Sequence, residues 1–170
     1  MTRRLSLTTA QSPTAVTSAM LACSLLVGAA ALALEARAEA MHEVVHSDAI
    51  EWQEGPETLP PGAEITLLHG DPYAEGVYAL RVKLPPDYVV PPHTHPLTEN
   101  VTVLEGTLYL GMGETFDREK GEAMGPGAFL SIPPDHAHAA WTEDEPAVFQ
   151  LHAEGPYQIH YIDPDDDPRS

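Results

Sequence analysis

The sequence predicts an all-β fold, either a sandwich or a small barrel. After residue 40, short runs rich in β-branched and aromatic residues alternate with clusters of glycine, proline and aspartate. That spacing is typical of antiparallel strands joined by turns. The same part of the sequence contains no convincing 3.6-residue apolar period of an amphipathic helix. With 170 residues, the chain can form one domain with its own core but hardly two.

Composition divides the chain into four parts. These are a signal peptide (residues 1–38), an N-terminal arm or edge strand (39–63), the barrel (64–162) and an acidic tail (163–170). The first part has Arg3 and Arg4, an apolar run over residues 19–34 and a small-residue cleavage site at residues 36–38. That run is shorter than the roughly twenty residues that a membrane span needs. We therefore expect a periplasmic or secreted protein. A retained anchor helix and a true start at Met41 are the alternatives.

Charge and cysteine content exclude several classes of function. Residues 1–40 hold three arginines and two glutamates, so the remainder keeps 5 basic and 24 acidic residues, a formal charge of −19. Such a surface repels nucleic acid and anionic membranes, and the scarcity of cations disfavours a phosphorylated substrate. The single cysteine, Cys23, lies in the leader, which excludes disulfides and thiolate ligands after cleavage. We expect a small neutral organic substrate, no nucleic acid and no stable membrane insertion after processing. A homodimer remains open.

Strand-like runs follow one another from residue 64 onward. They include residues 64–69, 77–84, 101–104, 107–112, 147–152 and 157–162. Glu105 and Gly106 predict a tight turn, across which we expect residues 107–112 to pair back. Residues 113–125 are polar and predict an exposed hairpin. Tyr78 and Trp141 are interpreted as barrel core or rim rather than as residues that stack on a substrate.

Residues 91–106 carry the strongest functional signal. Side chains two apart on a strand share a face, so His93, His95 and Glu99 are expected to project together. Two imidazoles and a carboxylate suit iron, manganese, nickel, copper or zinc better than calcium. The prolines around the histidine pair favour a strand at a barrel mouth over a central one. A second stretch, residues 127–138, places a glycine turn, an apolar strand and a proline bend ahead of His136 and His138.

These two stretches resemble the paired motifs of the cupin superfamily. The first motif, G-x5-H-x-H-x3,4-E-x6-G, is matched by His93, His95, Glu99 and Gly106, and the second, G-x5-P-x-G-x2-H-x3-N, by Gly127, Pro133 and His138. The departures are Asp87, Asp135 and Thr142, which replace two glycines and an asparagine at turn or flanking positions.

The resemblance covers residues 65–162 and implies a small double-stranded β-helix barrel with a metal in one mouth. It implies one divalent transition metal ion, held by His93, His95, Glu99 and His138. Such a set leaves up to two open positions on an octahedral metal. We therefore expect an oxidoreductase of the dioxygenase-like type.

Three further residues are candidates for catalysis. Gln150 and His152 share one face of a late strand, which we expect to be the cavity face, and His136 is placed at the rim just outside the ligands. Two other functions stay open. One is a metal-dependent isomerase or lyase in which the metal is a Lewis acid. The other is a non-catalytic cupin that binds metal or a small ligand, because the fold alone does not decide function.

Overall fold

Two antiparallel sheets confirm the all-β prediction. The computed structural model describes residue 42 and residues 44–170, so the predicted signal peptide and Met41 lie outside the described residues. The strands are β1 (Gln53–Glu54), β2 (Glu64–His69), β3 (Gly76–Leu84), β4 (Val89–Thr94), β5 (Glu99–Glu105), β6 (Leu108–Met112), β7 (Glu122–Met124), β8 (Phe129–Ile132), β9 (His138–Trp141), β10 (Ala147–Gly155) and β11 (His160–Tyr161). Short 3-10 helices span Ser47–Ala49, Arg118–Lys120 and Pro164–Asp166. None of the described helices has the length and apolar character needed to span a membrane.

The sheets contain six and five strands. Their orders are β1-β2-β3-β10-β5-β8 and β11-β4-β9-β6-β7. Alternate residues of the central strands point inward, as the period of two requires. On β3 and β5 these buried residues include Tyr78, Val82, Val101 and Val103. The inner faces of the two sheets thus enclose one apolar core.

The turn after β5 is a corner between the two sheets. β5 pairs with β10 and β8, whereas β6 pairs with β7 and β9. The prediction that residues 107–112 pair back onto the preceding strand is therefore wrong. Gly106 has a φ of 69°, and a Cβ atom there would lie 2.0 Å from the carbonyl oxygen of Pro146. Only glycine can occupy a position with both restrictions.

Residues 113–125 are mostly exposed and form the return half of a hairpin with β6, so the expected exposed hairpin is confirmed in part. They include a 3-10 helix and strand β7, which extends the five-stranded sheet. Trp141 is wholly buried, with the Tyr109 ring stacked at 5.7 Å between centroids and the Phe116 ring edge-on at 5.3 Å. Gly121 lies directly against the indole, where a Cβ atom would come within 2.1 Å of it. The segment therefore covers the outer face of β9.

The three departures from the cupin motifs keep the backbone that the motifs require. Asp87 and Asp135 have φ values of 57° and 59°, in the left-handed region that aspartate tolerates better than most residues. Thr142 is completely buried, and its hydroxyl donates to the carbonyl of Pro85 at 2.6 Å. The same hydroxyl accepts from the amide of Tyr88 at 3.0 Å. Thr142 thus ties the end of β9 to the turn that precedes β4.

Candidate metal centre

Four of the residues singled out in the sequence meet at one end of the barrel. His93 on β4 and His138 on β9 are direct cross-strand partners. A register shift lies between Val90 and His93, where Pro91 and Pro92 interrupt the ladder. Glu99 opens β5 in the other sheet, and His95 lies in the connection between β4 and β5.

The distances are those of a compact polar cluster. One ring nitrogen from each of His93, His95 and His138 lies within 4.8 Å of those of the other two. The two carboxylate oxygens of Glu99 lie 3.7 Å from His95 Nε2 and 3.5 Å from His138 Nε2. All three histidines are buried; His138 is only 2% exposed. Three imidazoles and a carboxylate thus converge inside an otherwise apolar barrel.

The hydrogen bond at Nδ1 of each ring selects the tautomer of the neutral imidazole. The Nδ1 atoms of His93 and His95 each lie 2.6 Å from a backbone carbonyl oxygen, and that of His138 lies 3.0 Å from one. A carbonyl oxygen can only accept, so Nδ1 carries a proton and a neutral ring presents its Nε2 lone pair to the cluster. This is the arrangement in which proteins hold metal-binding imidazoles. Three free lone pairs beside a carboxylate repel one another unless a cation joins them, so the donor set fits a divalent metal.

Electrostatics keeps His93 and Glu99 in forms that can bind a metal. Burial, followed by the neighbouring His138 and His95, lowers the pKa of His93 to about 3, so its imidazole is neutral at physiological pH. Burial raises the pKa of Glu99, but the close approach of His138 and of the other two imidazole rings outweighs it and lowers that pKa to about 2. The site therefore presents an ionised carboxylate and a neutral His93.

The three predicted catalytic side chains lie elsewhere. On β10 the residues that line the cavity are Phe149 and Leu151, so Gln150 and His152 point to the opposite face of the sheet. The expectation that these two face the cavity is thus corrected. Gln150 Oε1 accepts from Arg81 Nε at 3.5 Å, and the side chain of His136 is exposed. A role for any of the three in a reaction remains a sequence prediction.

An apolar cavity extends from the cluster into the barrel. The cavity has a volume of about 90 Å³, whereas a single water needs roughly 10–15 Å³. Its apolar lining includes Leu80, Val82, Val101, Leu110, Phe149 and Leu151. The polar side chains among the described lining residues are His93, Glu99, His138 and the tyrosines at positions 73, 78 and 157. The described lining residues include no lysine or arginine, so apart from the cluster these walls are uncharged.

The N-terminal arm closes part of the cavity. Pro56 and Leu59 line it, although both precede the barrel in the sequence. The Tyr161 hydroxyl donates to the carbonyl of Thr58 at 2.8 Å, and the Tyr88 hydroxyl donates to that of Pro60. Sequence reasoning missed both this wall and Tyr157. Tyr157 begins the run 157–162 that the sequence predicts as a strand, but strand β11 covers only His160–Tyr161, and the prediction gave Tyr157 no place at the cavity.

The sheets and the three-histidine cluster define the chain as a cupin, as its paired motifs predicted. More narrowly, the chain belongs to the family of ChrR cupin-like domains, whose family model matches residues 40–158. Comparison with the curated proteins gave no match.

Several solved structures share the fold. The polyketide cyclase RemF from Streptomyces resistomycificus is 23% identical, with a TM-score of 0.64 over 75% of this chain and 90% of that one. KdgF from Halomonas sp. is 20% identical, with a TM-score of 0.52 over 68% and 96%. DMSP lyase DddQ from Ruegeria pomeroyi DSS-3 is 20% identical, with a TM-score of 0.51 over 72% and 70%. At these identities the likeness concerns the fold alone.

Proposed function

We propose that the protein is a metal-dependent enzyme, an oxidoreductase of the dioxygenase-like type, acting on a small neutral organic molecule. The observation that supports this most directly is the set of three free Nε2 lone pairs and one carboxylate at the end of an apolar cavity. A buried cluster of this kind costs stability unless it binds a cation. Its position on a cavity, rather than in a closed core, favours chemistry over a purely structural role.

Different residues would bind the metal and the substrate. His93, His95, Glu99 and His138 would hold one divalent ion of iron, manganese, nickel, copper or zinc. Such an ion supplies Lewis acidity when bound and, if it is redox-active, electron transfer with dioxygen. Glu99 offsets part of the positive charge in a barrel with few other polar groups. The apolar walls bind the carbon skeleton of the substrate and exclude bulk water.

Charge supports a neutral substrate. No cationic side chain lines the cavity among the described residues, so a phosphate or sulfate group would be buried without a partner from the walls. The acidic surface also repels anions before they reach the mouth. If residues 1–38 direct export as their composition predicts, the reaction takes place in the periplasm or outside the cell.

Oxygen uptake tests the proposal. Protein loaded in turn with each of the five metals is given a panel of β-diketones and phenolic compounds, and dissolved oxygen is followed together with product formation. We expect oxygen consumption with at least one metal and its loss in His138→Ala. Product formation without oxygen uptake would contradict the oxidoreductase and support the isomerase or lyase. Stoichiometric metal without turnover of any compound would instead favour the non-catalytic module.

A further inference from the structure

Tyr73 differs in exposure from every other described residue that lines the cavity. It lies in the turn between β2 and β3 and is 65% exposed, whereas the other described lining residues are buried or half-buried. A residue that contacts both the cavity and bulk solvent marks the point at which the two meet. The mouth of the cavity is therefore at Tyr73.

This mouth lies at the same end of the cavity as the histidine cluster. Burial raises the pKa of Tyr78, and the neighbouring Glu99 and Tyr73 raise it further. Glu99 and Tyr73 are thus both close to one buried side chain, and a carboxylate oxygen of Glu99 lies 3.7 Å from His95 Nε2. A molecule that enters beside Tyr73 reaches the cluster without crossing the rest of the barrel.

The backbone of the turn that carries Tyr73 is fixed. The amide of Tyr73 donates to Asp71 Oδ1 at 2.8 Å, and the amide of Ala74 donates to the carbonyl of Asp71 at 3.2 Å. The carbonyl of Pro72 accepts from the amide of Tyr157 at 2.6 Å. These bonds hold the turn against the segment that follows β10, so they set the position of the Tyr73 Cα atom.

The side chain of Tyr73 is much less restrained than its backbone. Its hydroxyl forms no hydrogen bond with any described residue, unlike the hydroxyls of Tyr88 and Tyr161, which hold the arm against the barrel. Exposed side chains change rotamer within picoseconds to nanoseconds. The ring can therefore swing across the mouth or away from it while the turn stays in place.

We propose that Tyr73 is a gate whose ring selects, by size, the molecules that reach the histidine cluster. With the ring across the mouth, water and small molecules pass, while larger ones enter only when it rotates outward. The inference goes beyond the proposed function, because it concerns entry and holds for an oxidoreductase, an isomerase or a binding module alike. It gives a selective role to a residue outside the metal site.

A cysteine placed inside the cavity measures passage through the mouth. The sequence has one cysteine, Cys23, so a chain with Cys23→Ser and Val101→Cys carries a single thiol, at a position that is 3% exposed and lines the cavity. Metal-free protein is treated with methyl methanethiosulfonate or the larger benzyl methanethiosulfonate, and intact mass follows the modified fraction. Tyr73→Ala should speed the reaction with the benzyl reagent about tenfold and with the methyl reagent less than about threefold.

Tyr73→Phe and Phe129→Ala are the matched controls. The first keeps the ring, and the second removes an aromatic side chain of similar exposure, 60%, which is not among the described lining residues. Both should react within about twofold of the parent rate, because neither widens the mouth. Equal acceleration of both reagents in Tyr73→Ala, no acceleration there, or the same acceleration in either control would overturn the gate.

Release of metal gives a second measurement that does not depend on the cysteine variant. At unchanged metal affinity, Tyr73→Ala should speed transfer of metal to the bulky chelator 1,10-phenanthroline about tenfold, and Phe129→Ala should not. Transfer at the parent rate would contradict the gate. A parent protein that holds no metal would refute the proposed function, while labelling of the metal-free protein would still decide the role of Tyr73.

Discussion

At the scale of single residues, the proposed metal site depends on the Nε2 atom of each histidine, which faces the cluster. The Nδ1 atoms of His93, His138 and His95 donate to backbone carbonyl oxygens. The acceptors are, in that order, Pro91, His136 and Gln158. Two of these carbonyls belong to residues two positions before the histidine that they orient. The backbone of the motif therefore sets the tautomer as well as the position of the ligand.

His138→Ala and His136→Ala separate a ligand from its neighbour. We expect His138→Ala to weaken metal binding at least about 100-fold, since it removes a direct ligand, whereas loss of an outer partner costs about 10- to 100-fold. His136→Ala should cost much less, because its side chain is exposed and only its backbone oxygen holds His138. Metal retained after dialysis against a chelator is the measurement. Equal loss in both variants would mean that the ligand assignment is wrong.

Thr142 offers a second test at the same scale. Thr142→Ala leaves the amide of Tyr88 and the carbonyl of Pro85 without their buried partner. We expect the free energy of unfolding to fall by about 2–4 kcal/mol, whereas Thr142→Ser, which keeps the hydroxyl, should lose much less. Denaturant unfolding monitored by tryptophan fluorescence compares the two variants. Similar losses in both would show that the methyl group, not the hydroxyl, is what the fold needs.

At the scale of strands and turns, the sequence predicts features that depend on neighbouring residues better than features that depend on distant strands. The turns at Asp87 and Asp135 depend on neighbouring residues only, so motif spacing predicted them. His93 and Glu99 do converge, but they lie on strands of different sheets, so the predicted common strand face is wrong. The partner of β6 depends on which sheet the chain enters after Gly106, a choice made by distant strands.

The side of β10 that faces the core is a second feature that local spacing alone does not predict. Gln150 and His152 share a parity, as predicted, but the apolar alternation with Phe149 and Leu151 decides which set faces the core. The spacing of two polar residues cannot reveal their direction without that comparison. The arm residue Leu59 reaches the cavity from an irregular segment, where no period exists to predict it. Tyr157 lies in the run 157–162, whose alternation predicts a strand but does not reveal which side faces the cavity.

Gly106→Ala tests the corner between the sheets. The added Cβ atom would overlap the carbonyl of Pro146, and alanine disfavours a φ of 69°. We expect the free energy of unfolding to fall by at least about 3 kcal/mol. The control is Gly125→Ala, where nothing lies within 4 Å of the new atom. If urea unfolding gave the two variants the same stability, the corner would not depend on glycine.

At the scale of the whole barrel, the four predicted ligands come from both sheets and from the connection between them. His93 and His138 belong to the five-stranded sheet, and Glu99 belongs to the six-stranded one. An ion bound by all of them links the sheets at the mouth of the cavity. Because the unfolded chain lacks this arrangement, binding stabilises the native state, by about 4 kcal/mol when the free metal is at 1,000 times its dissociation constant. Metal binding and barrel stability are thus coupled.

Elemental analysis of the purified protein tests the central claim most directly. The geometry of His93, His95, Glu99 and His138 predicts about one transition metal ion per chain, retained through dialysis and restored after chelation. His138→Ala, prepared in the same way, should hold far less. Protein that contains little metal and cannot be brought to one ion per chain by iron, manganese, nickel, copper or zinc would contradict the account.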